Sequence, residues 1–151
     1  YGYWDISFIC SNIIIWYTKR YQASGELLSS GVDGQGVAVL KYVGFDAIIN
    51  FSKISDSKLE SEIAGENGSI IIEHISDIER VSLINRNTKN NRIDLTDRRV
   101  ENGMFYELEH FIKLYNDGLK ESPVNTFELS LSVIKVADEI RKQMGVEFLN
   151  D

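Results

Sequence analysis

Cysteine, proline and histidine are nearly missing from this chain of 151 residues: one Cys, one Pro and two His in all. With Cys10 alone, no disulfide can form within the chain, which fits a reducing, cytoplasmic compartment. His74 and His110 have no Cys or His at ligand spacing, so a metal site is not expected. The scarcity of proline goes against a proline-rich linker or a disordered tract. Positive charge is also short. Sixteen Lys and Arg face 23 Asp and Glu, a net charge of -7. The densest basic spot, Arg98-Arg99, is flanked by Asp97 and Glu101. Nucleic acid and anionic membrane surfaces are therefore excluded as partners. Long apolar runs are absent too. Ile13-Ile14-Ile15-Trp16-Tyr17 falls well short of the roughly 20 residues that span a bilayer, and no charged flank or small-residue cleavage site marks it as a signal peptide. Two matches to the glycosylation sequon, at Asn50 and Asn67, carry no weight without such a signal.

The residues that are present describe a globular chain. Hydrophobic residues make up 43% and aromatics 11%, enough for one domain with a substantial core. The chain opens on Tyr1 and runs directly into a hydrophobic pattern, from which a fragment or processed product is expected. Ile6, Ile9, Ile13, Trp16 and Tyr17 have helix spacing, with Lys19 and Arg20 at the end where cations suit the helix dipole. Strands come next. Residues 36–42 are rich in Val, Leu and Tyr, and Phe45, Ala47, Ile49 and Phe51 alternate with a mostly polar set. Residues 59–64 alternate again, and Gly65-Glu66-Asn67-Gly68 reads as a turn. Ile70-Ile71-Ile72 predicts a strand buried on both faces. Residues 79–86 and 92–95 are weaker strands around a polar loop. Short connections favour antiparallel pairing. The last third is helical. Phe105, Leu108, Phe111, Ile112 and Tyr115 form one stripe, stopped at Gly118. A final helix is predicted to start at a capping box on Asn125 and Glu128 and to end at Gly145. Phe127, Leu131, Ile134 and Ala137 line one of its sides, widened by Leu129, Val133, Val136, Ile140 and Met144. The fold class is α+β: an open, mostly antiparallel sheet with helices packed on one face.

Few residues offer chemistry. Gly31-Val32-Asp33-Gly34-Gln35-Gly36 invites a phosphate-loop reading, but its spacing is G-x-x-G-x-G and the next segment reads as a strand. A phosphate site needs a helix N-terminus there, so a β-turn between two strands is the better reading. His74 and His110 suit structural or surface roles, and Cys10 a buried, inert thiol. Asp5 stands at the start of the first helix, where a helix cap is the reading favoured over chemistry.

Four stretches resemble the C-terminal domain of the glucose–fructose oxidoreductase, inositol dehydrogenase and MocA family. Trp4-Asp5-Ile6-Ser7 resembles the segment that opens that domain's first helix. Residues 31–42 resemble its first hairpin, and residues 62–70 its strand–turn–strand. The stretch from Glu121-Ser122-Pro123 through Ile140 is similar to its last helix. Each string is weakly specific, and their common order along nearly the whole chain carries the match.

The resemblance implies a glyceraldehyde-3-phosphate-dehydrogenase-like sheet domain, residues 1–151, for substrate binding and oligomerisation. The Rossmann domain that binds NAD or NADP, and the lysine of a Glu-Lys-Pro-like motif, would belong to an N-terminal half outside this sequence. The chain itself would bind no cofactor and be inactive alone. Its partners would be that Rossmann domain, a second copy through the sheet, and a sugar, cyclitol or related alcohol. Asp5 matches an acidic residue near the reacting carbon. Ile9 stands where the family usually has His or Tyr, and Ser7 where it has Gly, so either the register differs or this member is catalytically altered. The competing reading is a non-catalytic sheet domain that serves as a protein-interaction module or small-ligand sensor.

Overall fold

The computed structural model describes residues 18, 20–75, 80–87, 92–96 and 104–147. The helix expected over residues 4–17, with Asp5, Ser7, Ile9 and Cys10, lies outside the described residues, as do Arg98 and Arg99. The rest forms two compact units. One combines residues up to Ser57 with those from Pro123 onward, and the other is Lys58–Ser122.

The first unit is a three-stranded antiparallel sheet, β1 (Arg20–Leu27), β2 (Asp33–Lys41) and β3 (Asp46–Ser52), in that order. Register aligns Tyr21 with Leu40 and Ala47, Ala23 with Ala38 and Ile49, and Gly25 with Gly36 and Phe51. These nine residues share one face, because alternate residues of paired strands point the same way. A helix, α2 (Phe127–Gln143), covers it, and Leu40, Leu129 and Val133 form the core with Tyr21, Tyr42, Ala47, Ile49, Val136 and Ile140 around them. Burying a leucine side chain contributes about 1.5–3 kcal/mol. The opposite face is mostly polar: Arg20, Gln22, Ser24, Glu26, Gln35, Lys41, Asp46, Asn50 and Ser52 are exposed there, around Val37, Val39 and Ile48.

Both ends of α2 have identifiable causes. The N-cap is Thr126, whose hydroxyl accepts from the Leu129 N–H at 3.1 Å. The capping box predicted at Asn125 is therefore displaced by one residue. Asn125 lies just outside and accepts from the Ser130 hydroxyl at 3.2 Å. At the other end Gly145 adopts φ +87, its N–H bonds to Lys142 O, and Val146 N–H bonds to Arg141 O. This pair of bonds closes the last turn around a left-handed residue that only glycine adopts cheaply. The inward stripe is Leu129, Val133, Val136, Ile140 and Met144. Of the four residues read from sequence as lining one side, Phe127, Leu131 and Ile134 are exposed and Ala137 is half-buried.

The second unit holds a four-stranded antiparallel sheet, β4 (Ser61–Gly65), β5 (Gly68–Ile72), β6 (Val81–Asn85) and β7 (Arg92–Asp94), and the helix α1 (Met104–Asn116). Gly65 and Gly68 flank the tight β4–β5 turn as expected. Ile71 and Ile72 point to opposite faces and both are buried, as the triple isoleucine predicted. One face carries an apolar row running straight across the strands: Ile63, Ile70, Leu83 and Ile93. The other is more polar, with Glu62, Ser69, Ser82, Arg92 and Asp94. Helix α1 ends at Gly118, φ +67, as predicted. It has no buried residue, and Phe111 and Tyr115 are 70% and 80% exposed.

Candidate functional site

The glycine-rich string is the turn and first rungs of the β1–β2 hairpin. Gly31, at φ +81, donates to Leu28 O, and Leu28 N–H bonds to Val32 O. A Cβ on Gly34 would stand 2.8 Å from the Leu28 side chain, and one on Gly36 would stand 2.7 Å from the Phe51 ring. The glycines thus serve close packing within the hairpin. They lead into β2 and not into a helix N-terminus, so these residues do not fit the phosphates of a dinucleotide.

The same hairpin positions a charged cluster that the sequence did not announce. Asp33, at the start of β2, is 3% exposed, beside a bulge at Glu26 and Leu27. Its Oδ1 accepts from Lys53 Nζ at 2.9 Å and lies 3.9 Å from Arg141 Nε, while Arg141 also pairs with Asp138. Asp33 Oδ2 has no hydrogen-bond partner among the described residues. Two cations offset the cost of burying one carboxylate and tie the last turn of α2 to the base of the sheet. Asp33 was visible only as part of the glycine string, and nothing in the linear pattern links it to Lys53 or Arg141.

In the second unit, Ser82 is buried and accepts from Arg92 Nε at 2.8 Å, and the same guanidinium pairs with Glu60 at 2.9 Å. The Glu60 hydrogen bond holds the Arg92 guanidinium above its ordinary range. Thr96 caps the end of β7: its hydroxyl and backbone N–H hold the Asp94 carboxyl below the usual aspartate range, with Arg80 and Arg92 adding to the effect. His110 Nε2 lies 2.9 Å from Ser122 Oγ, an exposed pair that ties α1 to the loop after it. His74 is an exposed residue at φ 81 following β5. Among the described residues, neither histidine sits in a catalytic constellation. Among them too, no group of three or more His, Cys, Asp or Glu side chains could hold a metal ion, and no helix is long and apolar enough to cross a membrane.

A shallow recess of about 380 Å³ lies on the apolar face of the second sheet, at the β4–β5 turn. Ile63, Ile70 and Leu83 form its floor, with Gly65, Gly68 and Asn85 at the rim. Such a floor offers almost no hydrogen bonds to a polyol, and it suits another apolar surface.

These are the elements of an α+β domain of open antiparallel sheets. A solved structure of the same fold is UDP-N-acetylglucosamine 3-dehydrogenase GnnA from Acidithiobacillus ferrooxidans, which superposes with a TM-score of 0.67 over 84% of this chain and 40% of that one, at 12% identity. No family model matches the chain. Over 88% of its length it is 44% identical to scyllo-inositol 2-dehydrogenase (NADP(+)) IolU of Bacillus subtilis. Over 97% it is 39% identical to the uncharacterized oxidoreductase YgjR of Escherichia coli. The chain belongs to the glucose–fructose oxidoreductase, inositol dehydrogenase and MocA family, with the fold of its C-terminal domain. It spans 40% and 44% of the length of these two relatives.

Proposed function

We propose that this chain is the substrate-side and assembly domain of an NAD(P)-dependent oxidoreductase that transfers hydride between a nicotinamide and a carbon of a sugar, cyclitol or related alcohol. The observation that carries this reading is the 44% identity, along 88% of the chain, to an NADP-dependent scyllo-inositol dehydrogenase. In the parent protein an N-terminal Rossmann domain would supply the nucleotide site, which the hairpin glycines here do not fit. Asp5 is the residue proposed to face the substrate, where a carboxylate accepts from a substrate hydroxyl or orients the group that takes its proton. A two-fold pairing of sheet faces is proposed for assembly, since it would bury the row from Ile63 to Ile93.

The test is turnover by the parent protein. Supplied with NAD or NADP and a panel of cyclitols and sugars, it is expected to form the reduced nicotinamide with at least one polyol. Asp5→Asn is expected to lower kcat roughly tenfold or more, the factor carried by a charge-assisted hydrogen bond, with little change in melting temperature. A large loss of stability with turnover intact would make Asp5 a helix cap. The second reading, an interaction module or ligand sensor, is favoured by Ile9 at the usual His or Tyr position and by the apolar sheet face. Intact assembly with no turnover on any polyol would establish it over the first.

A further inference from the structure

The outer edge of β1 is closed by a side chain. Among the described residues β1 is a terminal strand of its sheet, so every second residue turns its backbone N–H and C=O away from β2. Those residues include Tyr21 and Ala23. Gln143, the last residue of α2, reaches across to both: its Oε1 accepts from the Ala23 N–H at 2.8 Å, and its Nε2 donates to Tyr21 O at 3.3 Å. Both this C=O and this N–H are outward groups that an incoming strand would engage. The side-chain amide, with its carbonyl oxygen and its NH2 group, makes one bond to each.

The neighbouring geometry fixes the amide there. Met144 is buried, and its methyl carbon would stand 2.3 Å from a Cβ on Gly25 and 3.0 Å from one on Gly36. The paired glycines thus leave a slot on the sheet that accepts the end of α2, and the Gly145 turn closes the helix immediately afterwards. Gln143 itself is exposed, so burial does not explain its position, and water would satisfy its amide equally well away from the sheet.

Unpaired edges invite strand addition, and folded proteins blunt them. We propose that Gln143 is an edge guard, an intramolecular strand mimic that keeps β1 from pairing with β1 of a second copy. The guarded edge belongs to the first unit and the apolar row proposed for assembly to the second.

The test uses the whole chain with Gln143→Ala and Gln143→Glu beside the parent. In dilute solution the Ala23 amide of Gln143→Ala is expected to exchange with solvent roughly fivefold faster, the factor set by one net hydrogen bond. At high concentration light scattering is expected to show added mass, with Ala23 protection restored in the new assembly. Gln143→Glu loses the bond to Tyr21 O but places a charge on the edge, and it is expected to keep the parent's mass. Added mass in both variants would trace association to a loosened helix and overturn the proposal. Unchanged mass in Gln143→Ala, or unchanged exchange at Ala23, would overturn it as well.

Discussion

The two units use similar strands to different ends. In the first, the apolar face of β1–β3 lies under α2, with Leu40 fully buried and Leu129 nearly so, while the other face is mostly polar. In the second, the ends of the apolar row of β4–β7 are exposed, Ile63 by 47% and Ile93 by 43%, with Ile70 and Leu83 half-buried between them, and the helix of that unit has no buried residue. The first unit covers the apolar face of its sheet with α2, while Phe127, Leu131 and Ile134 on the outer side of that helix stay exposed. The second leaves part of its apolar sheet row exposed, and this is the surface proposed above for assembly.

The largest expected effect separates the two cores. Leu129→Ala removes a side chain from the packed face of the first unit and should cost about 2–5 kcal/mol in denaturant unfolding. Leu108→Ala on α1 should change stability by no more than about 0.5 kcal/mol. Equal losses would erase the contrast. Assembly comes next. Leu83→Lys places a charge in the middle of the apolar row and should reduce a dimer or larger assembly to monomer, read by light scattering. Ile48→Lys on the outer face of β3 should leave the mass unchanged. If the parent is already monomeric at high micromolar concentration, the second sheet is not an assembly face.

The same contrast separates the features that were legible in the sequence from those that were not. The alternation of Ala47, Ile49 and Phe51 gave β3 and its inward face, since period-2 burial is a local property. β1 was implied only as the strand before the Gly31–Gly36 turn, without bounds, because its inward residues after Tyr21 are Ala23 and Gly25, too small to mark a hydrophobic stripe. Within α2, helical periodicity supplied two adjacent apolar stripes and could not say which one met the sheet. The packing against Leu40 decides for the stripe through Leu129 and Val133. The Asp33, Lys53 and Arg141 cluster and the Gln143 contacts join residues far apart in the chain, so no local pattern could announce them. Asp5, the site residue implied by resemblance, lies outside the described residues, and its role rests with turnover measurements.

Smaller effects sharpen the picture of the first unit. Thr126→Ala removes the cap of α2 and should cost about 1 kcal/mol, whereas Asn125→Ala should cost less. The reverse order would restore the capping position read from sequence. The smallest effect belongs to the second unit. Asp94 is held below the ordinary aspartate range, so its contribution is present above that range and is lost as pH falls through the lowered value. Melting temperature followed into acid should therefore decline less steeply in Asp94→Asn than in the parent. A steeper decline in the variant would contradict the Thr96 cap as its cause.

The division of labour proposed above puts the substrate and assembly side of a dehydrogenase on this chain and the nucleotide side elsewhere. Titrating NADH and NADPH into the isolated chain while following fluorescence or heat tests it most directly. No saturable binding is expected, because the glycines of residues 31–36 lead into β2 and not into a helix. Saturable binding of either nucleotide at micromolar concentration would contradict the account.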